Sequence, residues 1–162
     1  MAISVGDRLP ETTLLRFGEN GPEEVPLAPV LSGRKVVMFG LPGAFTRTCD
    51  ATHLPSFMRT RPTFAEKGVD EVICIAVNDP FVMAAWGDTS GAHEAGITML
   101  GDPSAEFTKA IGLDFSVPAI GLLDRCQRFA LMAEDGVVTV LNLEEEGGAC
   151  KLTVGEELLE KI

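Results

Sequence analysis

The length, composition and charge of the chain limit what it can be. With 162 residues, 46% of them hydrophobic, the chain is long enough to build one sizeable core, so we expect a single domain over residues 1–162. Its 13 Lys and Arg residues are outnumbered by 24 Asp and Glu residues, which gives a formal net charge of −11. Because nucleic-acid binding depends on clustered Lys and Arg, this balance argues against a nucleic-acid partner.

The sequence also argues against a membrane protein. Its first stretch, MAISVGDRLPETTLL, lacks the basic start and the continuous apolar core of a signal peptide. No later apolar run approaches the length that a membrane-spanning helix needs. We therefore expect a soluble, cytoplasmic protein, with an organelle location left open in case a leader was removed before this numbering begins.

Cysteine and histidine residues are few and widely spaced. The cysteines stand at positions 49, 74, 126 and 150, and the histidines at positions 53 and 93. No C-x-x-C pair occurs, which argues against a zinc ribbon and against a thioredoxin-type dithiol. We expect no metal site and no cofactor.

The first half of the chain predicts two buried strands with a helix between them. The apolar runs 36–39 (VVMF) and Val72–Val77 (VICIAV) are typical of central strands in a parallel sheet. A helical stretch runs from about Cys49 to Lys67, and Pro55 and Pro62 predict that it is kinked or split in two.

The second half predicts shorter elements and a hairpin. In order, these are a helix from Pro80 to about Glu94, a strand at Ile97–Leu100, a helix at Ser104–Ile111 capped by Ser104, strands at Arg128–Ala133 and Val137–Leu143, and a helix at Glu156–Ile162. The turn sequence Glu134-Asp135-Gly136 favours antiparallel pairing of the two strands that it joins. This order of elements predicts an α/β sandwich with a mixed sheet.

One cysteine stands at the predicted start of a helix, in the stretch GLPGAFTRTCDATHLPSF (residues 40–57). There Cys49 meets unpaired backbone N–H groups and the positive end of the helix dipole, which favour the thiolate over the thiol. A free cysteine is often a small core residue instead. Because the neighbours of Cys49 (TRTCD) are polar, we interpret it as a nucleophile.

Three other residues of this stretch have candidate roles. The hydroxyl of Thr46 is placed to return to the sulfur or to a bound oxygen, although helix capping explains it equally well. Pro42 would shield the sulfur from water, or simply form a turn. His53 follows Cys49 by four residues, so a Cys–His hydrolase is considered, but no motif supplies an orienting Asn or Asp, and we interpret His53 as structural.

The pattern Pro42-x-x-x-Thr46-x-x-Cys49 resembles the peroxidatic signature of the peroxiredoxins, and PGAFTRTCDATHLPSF resembles that of their type II, atypical two-cysteine branch. The segments VGDRLPETTL, VDEVICIAVNDPFVMAAWG and RCQRFALMAEDGVVTVLNLE and the closing helix follow the branch in the same order. The resemblance implies a thioredoxin-like fold with an N-terminal hairpin extension and a central mixed sheet flanked by helices. It also implies a homodimer.

The resemblance further implies a thiol-dependent peroxidase that needs no cofactor. Such an enzyme reduces hydrogen peroxide and alkyl hydroperoxides and is recycled by thioredoxin or by glutaredoxin and glutathione. The family places an arginine near the sulfur, and Arg128 occupies the matching position, where it would favour the thiolate and bind peroxide oxygens. We expect Arg125, three residues earlier, to point to the other face of the strand.

The reduction of the resulting sulfenic acid leaves alternatives open. Cys150 lies in an acidic, glycine-bearing stretch and matches the resolving cysteine of animal members of the branch. Cys74 matches the one used by some plant members, but it sits inside an apolar run that suggests burial. We rank Cys150 first, then Cys74, then external glutathione with no resolving cysteine, and we regard Cys126 as incidental.

A second function and a set of aromatic residues also remain open. The alternative to an enzyme is a redox-sensing or chaperone-like interaction protein that responds to the oxidation of Cys49. Phe45, Phe81 and Trp86 are candidates for contacts around the site or across a dimer interface, and we favour burial in the core for Phe81 and Trp86.

Overall fold

A mixed sheet forms the centre of the protein in a computed structural model that describes residues 1–162. The strands are β1 (Thr13–Gly18), β2 (Gly21–Pro26), β3 (Lys35–Gly40), β4 (Glu71–Ala76), β5 (Ile97–Gly101), β6 (Asp114–Val117), β7 (Leu122–Cys126), β8 (Phe129–Glu134) and β9 (Val137–Leu143). The helices are α1 (Leu27–Leu31), α2 (Leu54–Glu66), α3 (Pro80–Ser90), α4 (Glu106–Ala110) and α5 (Gly155–Leu159), with a π-helical turn at Cys49–His53 and a 3₁₀ turn at Pro118–Ile120.

The sheet contains seven strands in the order β2-β1-β5-β4-β3-β8-β9. Strand β4 pairs in parallel with both β3 and β5, whereas the N-terminal hairpin β1–β2 and the hairpin β8–β9 pair antiparallel at the two edges. Strands β6 and β7 form a separate two-stranded ribbon. The predicted mixed sheet with an N-terminal hairpin is confirmed, whereas the β6–β7 ribbon was not predicted.

The alternation of side chains along the central strands builds one core on each face of the sheet. In β3, Val36 and Met38 point to one face, and Val37 and Phe39 point to the other. Helices α1 and α4 cover the first face, and α2, α3 and α5 cover the second. On the second face Phe57 of α2 stacks on Phe39, with ring centroids 4.0 Å apart. Cys49 belongs to this second core.

The prolines were predicted to kink the Cys49–Lys67 helix or to split it in two, and the predicted split is wrong. The π-helical turn leads directly into α2, and Pro62 lies inside α2 without ending it. The N–H of Leu54 donates to the carbonyl of Cys49, five residues back. Pro55 then sits in the first turn of α2, where a missing N–H costs little. The irregularity of this helix is therefore the π turn that contains Cys49.

Two further boundaries differ from prediction. Helix α3 ends at Ser90 because Gly91 takes a left-handed conformation, with φ of 84°. Ser104 does not cap α4. Instead the Asp102 carboxylate accepts hydrogen bonds from the backbone N–H of Phe107 at 3.2 Å and from both the N–H and the hydroxyl of Thr108.

The hairpin at 135–136 is as predicted, with positive φ at both turn residues. No helix is both long enough and apolar enough to span a membrane.

Candidate active site

Cys49 lies in the first turn of the helix that follows β3. The backbone N–H of Asp50 donates to the carbonyl of Thr46 at 2.9 Å, so helical bonding begins just before the cysteine. The Cys49 side chain is fully buried beneath this turn, in the core that it shares with Phe39 and Cys74. The sequence at the end of a buried strand therefore places a thiol at a helix N-terminus and away from bulk water.

The loop before Cys49 is held by contacts from distant parts of the chain. The side-chain oxygen of Asn78, just after β4, accepts the Ala44 N–H at 2.9 Å. The Thr46 hydroxyl donates to the Gly43 carbonyl at 2.7 Å, so in this structure it fixes the loop. A side chain at Gly43 would collide with the Arg125 guanidinium. These contacts make the loop from Pro42 to Thr46 a fixed wall beside the cysteine.

The prediction that Arg125 points away from this region is wrong. Its Nη1 donates to the carbonyl of Pro42 at 2.9 Å. Strict alternation along one strand does not apply, because Arg125 belongs to β7 whereas Arg128 lies in the short connection just before β8. Both arginines thus approach the same side of the molecule, with Arg125 binding the loop.

Arg128 and His53 form a buried pair behind the loop. Arg128 is 8% exposed and His53 is fully buried. The Arg128 Nη1 donates to His53 Nδ1 at 3.2 Å. The His53 ring lies 3.0 Å through Nε2 from the carbonyl of Thr153. Since a carbonyl only accepts and a guanidinium only donates, His53 carries its proton on Nε2.

This pairing keeps His53 neutral. Burial and, after it, the Arg128 charge lower the pKa of His53 from 6.5 to about 3, against the raising effects of the Thr153 hydrogen bond and the Glu144 charge. Both ring nitrogens have partners, and neither partner is Cys49. A general-base role for His53 in a Cys–His hydrolase therefore has no support in the geometry.

The segment that follows β9 is organised by one carboxylate. Glu144 accepts hydrogen bonds from the backbone N–H groups of Lys151, Leu152 and Thr153 and from the Thr153 hydroxyl. These bonds lower the pKa of Glu144 although partial burial acts to raise it. Because the Thr153 hydroxyl donates to Glu144, the Cys150 thiol, 3.8 Å from that oxygen, is the donor in their contact.

The other three thiols differ in burial. Cys74 and Cys126 are fully buried, and burial raises the pKa of both, that of Cys126 to about 12. Cys150 is half-buried. Burial raises the pKa of Cys150 and the Glu144 charge raises it too, whereas the Arg128 charge lowers it.

A cavity of about 280 Å³ opens beside these groups. Pro42, Arg128, Phe115 and Gln127 line one side of it, and residues 143–149 line the other. The Nε atom of Arg128 is buried and has no hydrogen-bond partner in the protein. Because a buried donor without a partner is costly, this N–H is available to a small bound acceptor. No group of three or more His, Cys, Asp or Glu residues is arranged to hold a metal ion.

The aromatic residues near the site divide between core and surface. Trp86 is fully buried, as predicted, and its Nε1–H donates to the Asp50 carboxylate at 2.8 Å, which ties α3 to the residue after Cys49. Phe81 is 60% exposed, so its predicted place in the core is wrong. It follows Pro80 in the first turn of α3 and contacts Phe17 of the N-terminal hairpin. Phe45 is 51% exposed and adopts φ of 63°.

The structure thus places Arg128 and Pro42 in the cavity lining, whereas Cys49 and Thr46, in the helix start that follows Pro42 along the chain, do not line the cavity. Sequence reasoning missed Asn78 and the roles of Glu144 and Thr153. The role of Asn78 could have been predicted from the sequence, since a polar residue directly after a central strand commonly lies at the functional edge of a sheet. Nothing in the sequence distinguishes Glu144 from the two glutamates that follow it.

Comparison with known proteins gives consistent matches over nearly the whole chain. A family model described as Redoxin matches residues 4–158. Peroxiredoxin-2E-2, chloroplastic, of Oryza sativa subsp. japonica is 45% identical, over 99% of this chain and 72% of the rice protein. Peroxiredoxin-2D of Arabidopsis thaliana is 40% identical, over 99% of this chain and 98% of its own. The crystal structure of reduced Prx3 from Vibrio vulnificus in complex with hydrogen peroxide superimposes with a TM-score of 0.92 at 39% identity, over 98% of both chains.

Proposed function

The chain belongs to the peroxiredoxin family and is a thiol-dependent peroxidase with a thioredoxin-like fold, and from this premise we propose that Cys49 is the residue that attacks the peroxide. The observation that carries the proposal is the position of Cys49 in the first turn of a helix, next to the fixed loop that begins at Pro42. A helix start offers unpaired backbone N–H groups that can hold an anionic reacting group.

The proposed reaction transfers one oxygen atom from the peroxide to sulfur. The Cys49 thiolate attacks one oxygen of ROOH, an S–O bond forms, and the O–O bond breaks. The leaving RO⁻ takes up a proton and departs as water or an alcohol, while Cys49 becomes a sulfenic acid. The sulfur is oxidised by two electrons and the peroxide is reduced by two, so the step needs no cofactor.

Arg128, Thr46 and Pro42 are proposed to prepare the peroxide for this attack. The unpartnered Nε–H of Arg128 would donate to a peroxide oxygen and stabilise the charge that develops on the leaving oxygen. The Thr46 hydroxyl, now donating to Gly43, both donates and accepts and therefore suits the second oxygen. Pro42 lines the cavity and would exclude water from it.

We assign the resolving step to Cys150. Its thiolate would attack the sulfenic sulfur of Cys49, forming a disulfide and releasing hydroxide, which is protonated to water. A disulfide requires the two Cα atoms to lie about 4.4–6.8 Å apart, which favours a resolving thiol on a segment that can adjust its position. Cys150 lies in an irregular segment that side chains and not a sheet hold in place. Cys74, in contrast, is fully buried inside the central strand β4.

The disulfide must be reduced by an external dithiol or by two thiols. We propose thioredoxin, or glutaredoxin with glutathione, as the reductant, because small disulfide-exchange proteins present an exposed thiolate to an accessible disulfide. Such a reaction needs a compartment rich in thiols. The cytoplasm is our first proposal, and an organelle is the second, since related proteins are named chloroplastic and mitochondrial.

Peroxiredoxins are commonly oligomeric, and we propose a homodimer for this chain. Its support is a set of exposed apolar side chains: Phe45, Phe81, Ile120 and Leu123 are each more than half exposed. Phe45 directly precedes Thr46, so a second copy seated there would also shield the active-site loop. Sedimentation velocity should give twice the monomer mass, and Phe45→Glu should shift the protein to monomer.

Steady-state peroxide consumption tests the enzyme proposal. Protein supplied with thioredoxin and its reductase, or with glutaredoxin and glutathione, should consume many equivalents of hydrogen peroxide per subunit. Cys49→Ser should abolish this turnover, and the matched control Cys126→Ser should retain it. Consumption of a single equivalent per subunit with every reductant would favour the alternative of a redox-sensing or chaperone-like protein.

A further inference from the structure

We propose that Glu144 is a positioning residue for Arg128, a role that rests on the proposed function of Arg128 in binding peroxide. Glu144 has no hydrogen bond to Cys49 or to the unpartnered Nε of Arg128. Its effect passes through the two buried residues that lie between it and the guanidinium, Thr153 and His53.

The first step of this connection is the carboxylate of Glu144. It accepts the N–H groups of three successive residues, Lys151 at 3.1 Å, Leu152 at 3.0 Å and Thr153 at 2.8 Å, and the Thr153 hydroxyl at 2.5 Å. Successive backbone N–H groups that converge on one anion hold the chain in a single conformation. Charge-assisted hydrogen bonds of this kind are roughly twice as strong as neutral ones. Glu144 therefore fixes where Thr153 lies.

The second step runs from Thr153 to Arg128. Thr153 is fully buried, and its carbonyl accepts the Nε2–H of His53 at 3.0 Å. This bond sets both the tautomer and the orientation of the ring, because it leaves Nδ1 as an acceptor. The Nδ1 atom then accepts the Nη1–H of Arg128 at 3.2 Å.

No further hydrogen-bond partner of the His53 ring is present to replace Thr153 or Arg128. The two ring nitrogens of His53 have hydrogen bonds only to Thr153 and Arg128. If the Thr153 carbonyl moves, the Nε2–H becomes a buried donor without a partner, and the ring must turn or shift to find one. Arg128 then loses the contact that sets the direction of its guanidinium. A displacement of about 1 Å of a group that binds the reacting atoms is enough to lower a rate substantially.

The connection also joins the peroxide site to the Cys150 segment. The Cys150 thiol donates to the same Thr153 hydroxyl that Glu144 holds. If this segment leaves Glu144 when Cys150 forms the disulfide, Thr153 would also withdraw from His53. Arg128 would then lose its partner only after the peroxide has reacted.

The first test separates peroxide binding from thiol reactivity. In a Cys150→Ser background, the first oxidation of Cys49 is followed by stopped-flow fluorescence of Trp86, the one tryptophan of the chain. Glu144→Ala should slow oxidation by hydrogen peroxide about tenfold, and Glu144→Gln, which keeps one acceptor oxygen, should slow it less. Alkylation of Cys49 by iodoacetamide, which has no O–O bond to orient, should change less than about twofold.

The matched control is Glu160→Gln, which removes the same charge from an exposed position outside the cavity. Glu160 makes no side-chain hydrogen bond to residues 151–153, so the oxidation rate of Cys49 in this variant should stay within about twofold of that in the Cys150→Ser parent. If Glu160→Gln slows the reaction as much as the Glu144 variants, loss of negative charge and not the position of Glu144 is the cause. Equal losses in oxidation and alkylation would indicate general disruption and would also overturn the proposal.

A double-mutant cycle with Arg128→Gln gives the decisive result. If Glu144 acts through Arg128, then Glu144→Ala should change the oxidation rate by less than about twofold once Arg128 is replaced. Full additivity of the two effects would overturn the proposal. Failure of the proposed function is distinguishable, because Cys49→Ser would then retain peroxide turnover, whereas failure of this inference leaves Cys49 essential and the Glu144 variants unaffected.

Discussion

The two candidate resolving cysteines lie in regions that are held together in different ways. Cys74 stands in β4, the strand at the middle of the sheet, with parallel partners on both sides and full burial from Val72 to Ala76. Cys150 stands in the segment 144–153, which has no helix or strand bonding and depends on Glu144, Thr153 and His53.

This difference means that the central strand contributes stability, whereas the segment 144–153 can move at a lower cost. Moving Cys74 toward Cys49 would break two strand ladders and open the core that both thiols share. Moving Cys150 breaks only the hydrogen bonds to one carboxylate and one ring. Local opening costs least where few buried apolar contacts are lost, so the reaction is expected to use the side-chain-held segment.

Acid should produce the largest effect, and mainly on the segment 144–153. Since His53 has a pKa of about 3 in the folded protein and 6.5 otherwise, the unfolded chain binds its proton first. The stability that neutral His53 contributes is present above pH 6.5 and is lost as pH falls from 6.5 toward 3. The free energy of unfolding should fall by about 4 kcal/mol from this residue over that range.

Denaturant unfolding at a series of pH values measures this slope, and His53→Gln should flatten it. Hydrogen exchange should show that amides 151–153 lose protection at higher pH than those of β4. An unchanged slope in His53→Gln, or simultaneous loss of protection in both regions, would contradict the contrast between them.

The second largest effect should be the difference between Cys150→Ser and Cys74→Ser in the rate of disulfide formation. Cys150→Ser should slow disulfide formation at Cys49 at least about a hundredfold, because a thiol held nearby has a far higher effective concentration than free thiol. Cys74→Ser should leave it within about twofold. Rapid quenching with a thiol-blocking reagent, followed by mass analysis, gives both rates. The reverse result would assign resolution to the central strand.

The pH dependence of resolution should sharpen the same contrast. Burial and the Glu144 charge raise the pKa of Cys150, so its thiolate fraction grows with pH below that value. Disulfide formation should therefore accelerate by about tenfold per pH unit between pH 6 and pH 8. The measurement is the slower fluorescence phase of Trp86 after peroxide mixing. A rate independent of pH would show that the Cys150 thiolate is not the attacking group or that segment movement limits the step.

The smallest effect concerns stability alone. Cys74→Ala should lower the free energy of unfolding by about 1 kcal/mol, because it leaves a small cavity in a fully buried strand. Cys150→Ala, at a half-buried position, should change it by less than about 0.5 kcal/mol. Urea unfolding of both variants compares them directly. Equal losses would mean that the segment is packed as firmly as the strand.

Much of the fold was predictable because local sequence and tertiary structure agree there. The apolar runs around Val37 and Ile73 gave the parallel pair β3–β4, and the Glu134-Asp135-Gly136 turn gave the hairpin β8–β9. The position of Cys49 after a predicted strand and at the start of a predicted helix identified it as a candidate nucleophile. In contrast, the capping of α4 by Asp102 was missed, since the carboxylate reaches across an Ala105 backbone with positive φ that propensity does not predict.

The parts of the candidate site that escaped prediction depend on long-range contacts. Arg125 reaches Pro42 across 83 positions, and His53 reaches Thr153 across 100. The acidic run 144–146 has the composition of a solvated loop, and only the folded chain shows that Glu144 differs from Glu145 and Glu146 by turning toward backbone N–H groups. No periodicity or local motif contains such information.

Peptide mass mapping after one equivalent of hydrogen peroxide tests the central claim most directly. The account predicts a Cys49–Cys150 disulfide in the wild-type protein and, in Cys150→Ser, a Cys49 sulfenic acid that a dimedone probe traps. A Cys49–Cys74 disulfide would contradict the assignment of the resolving thiol, and an unmodified Cys49 with oxidation elsewhere would contradict the account as a whole.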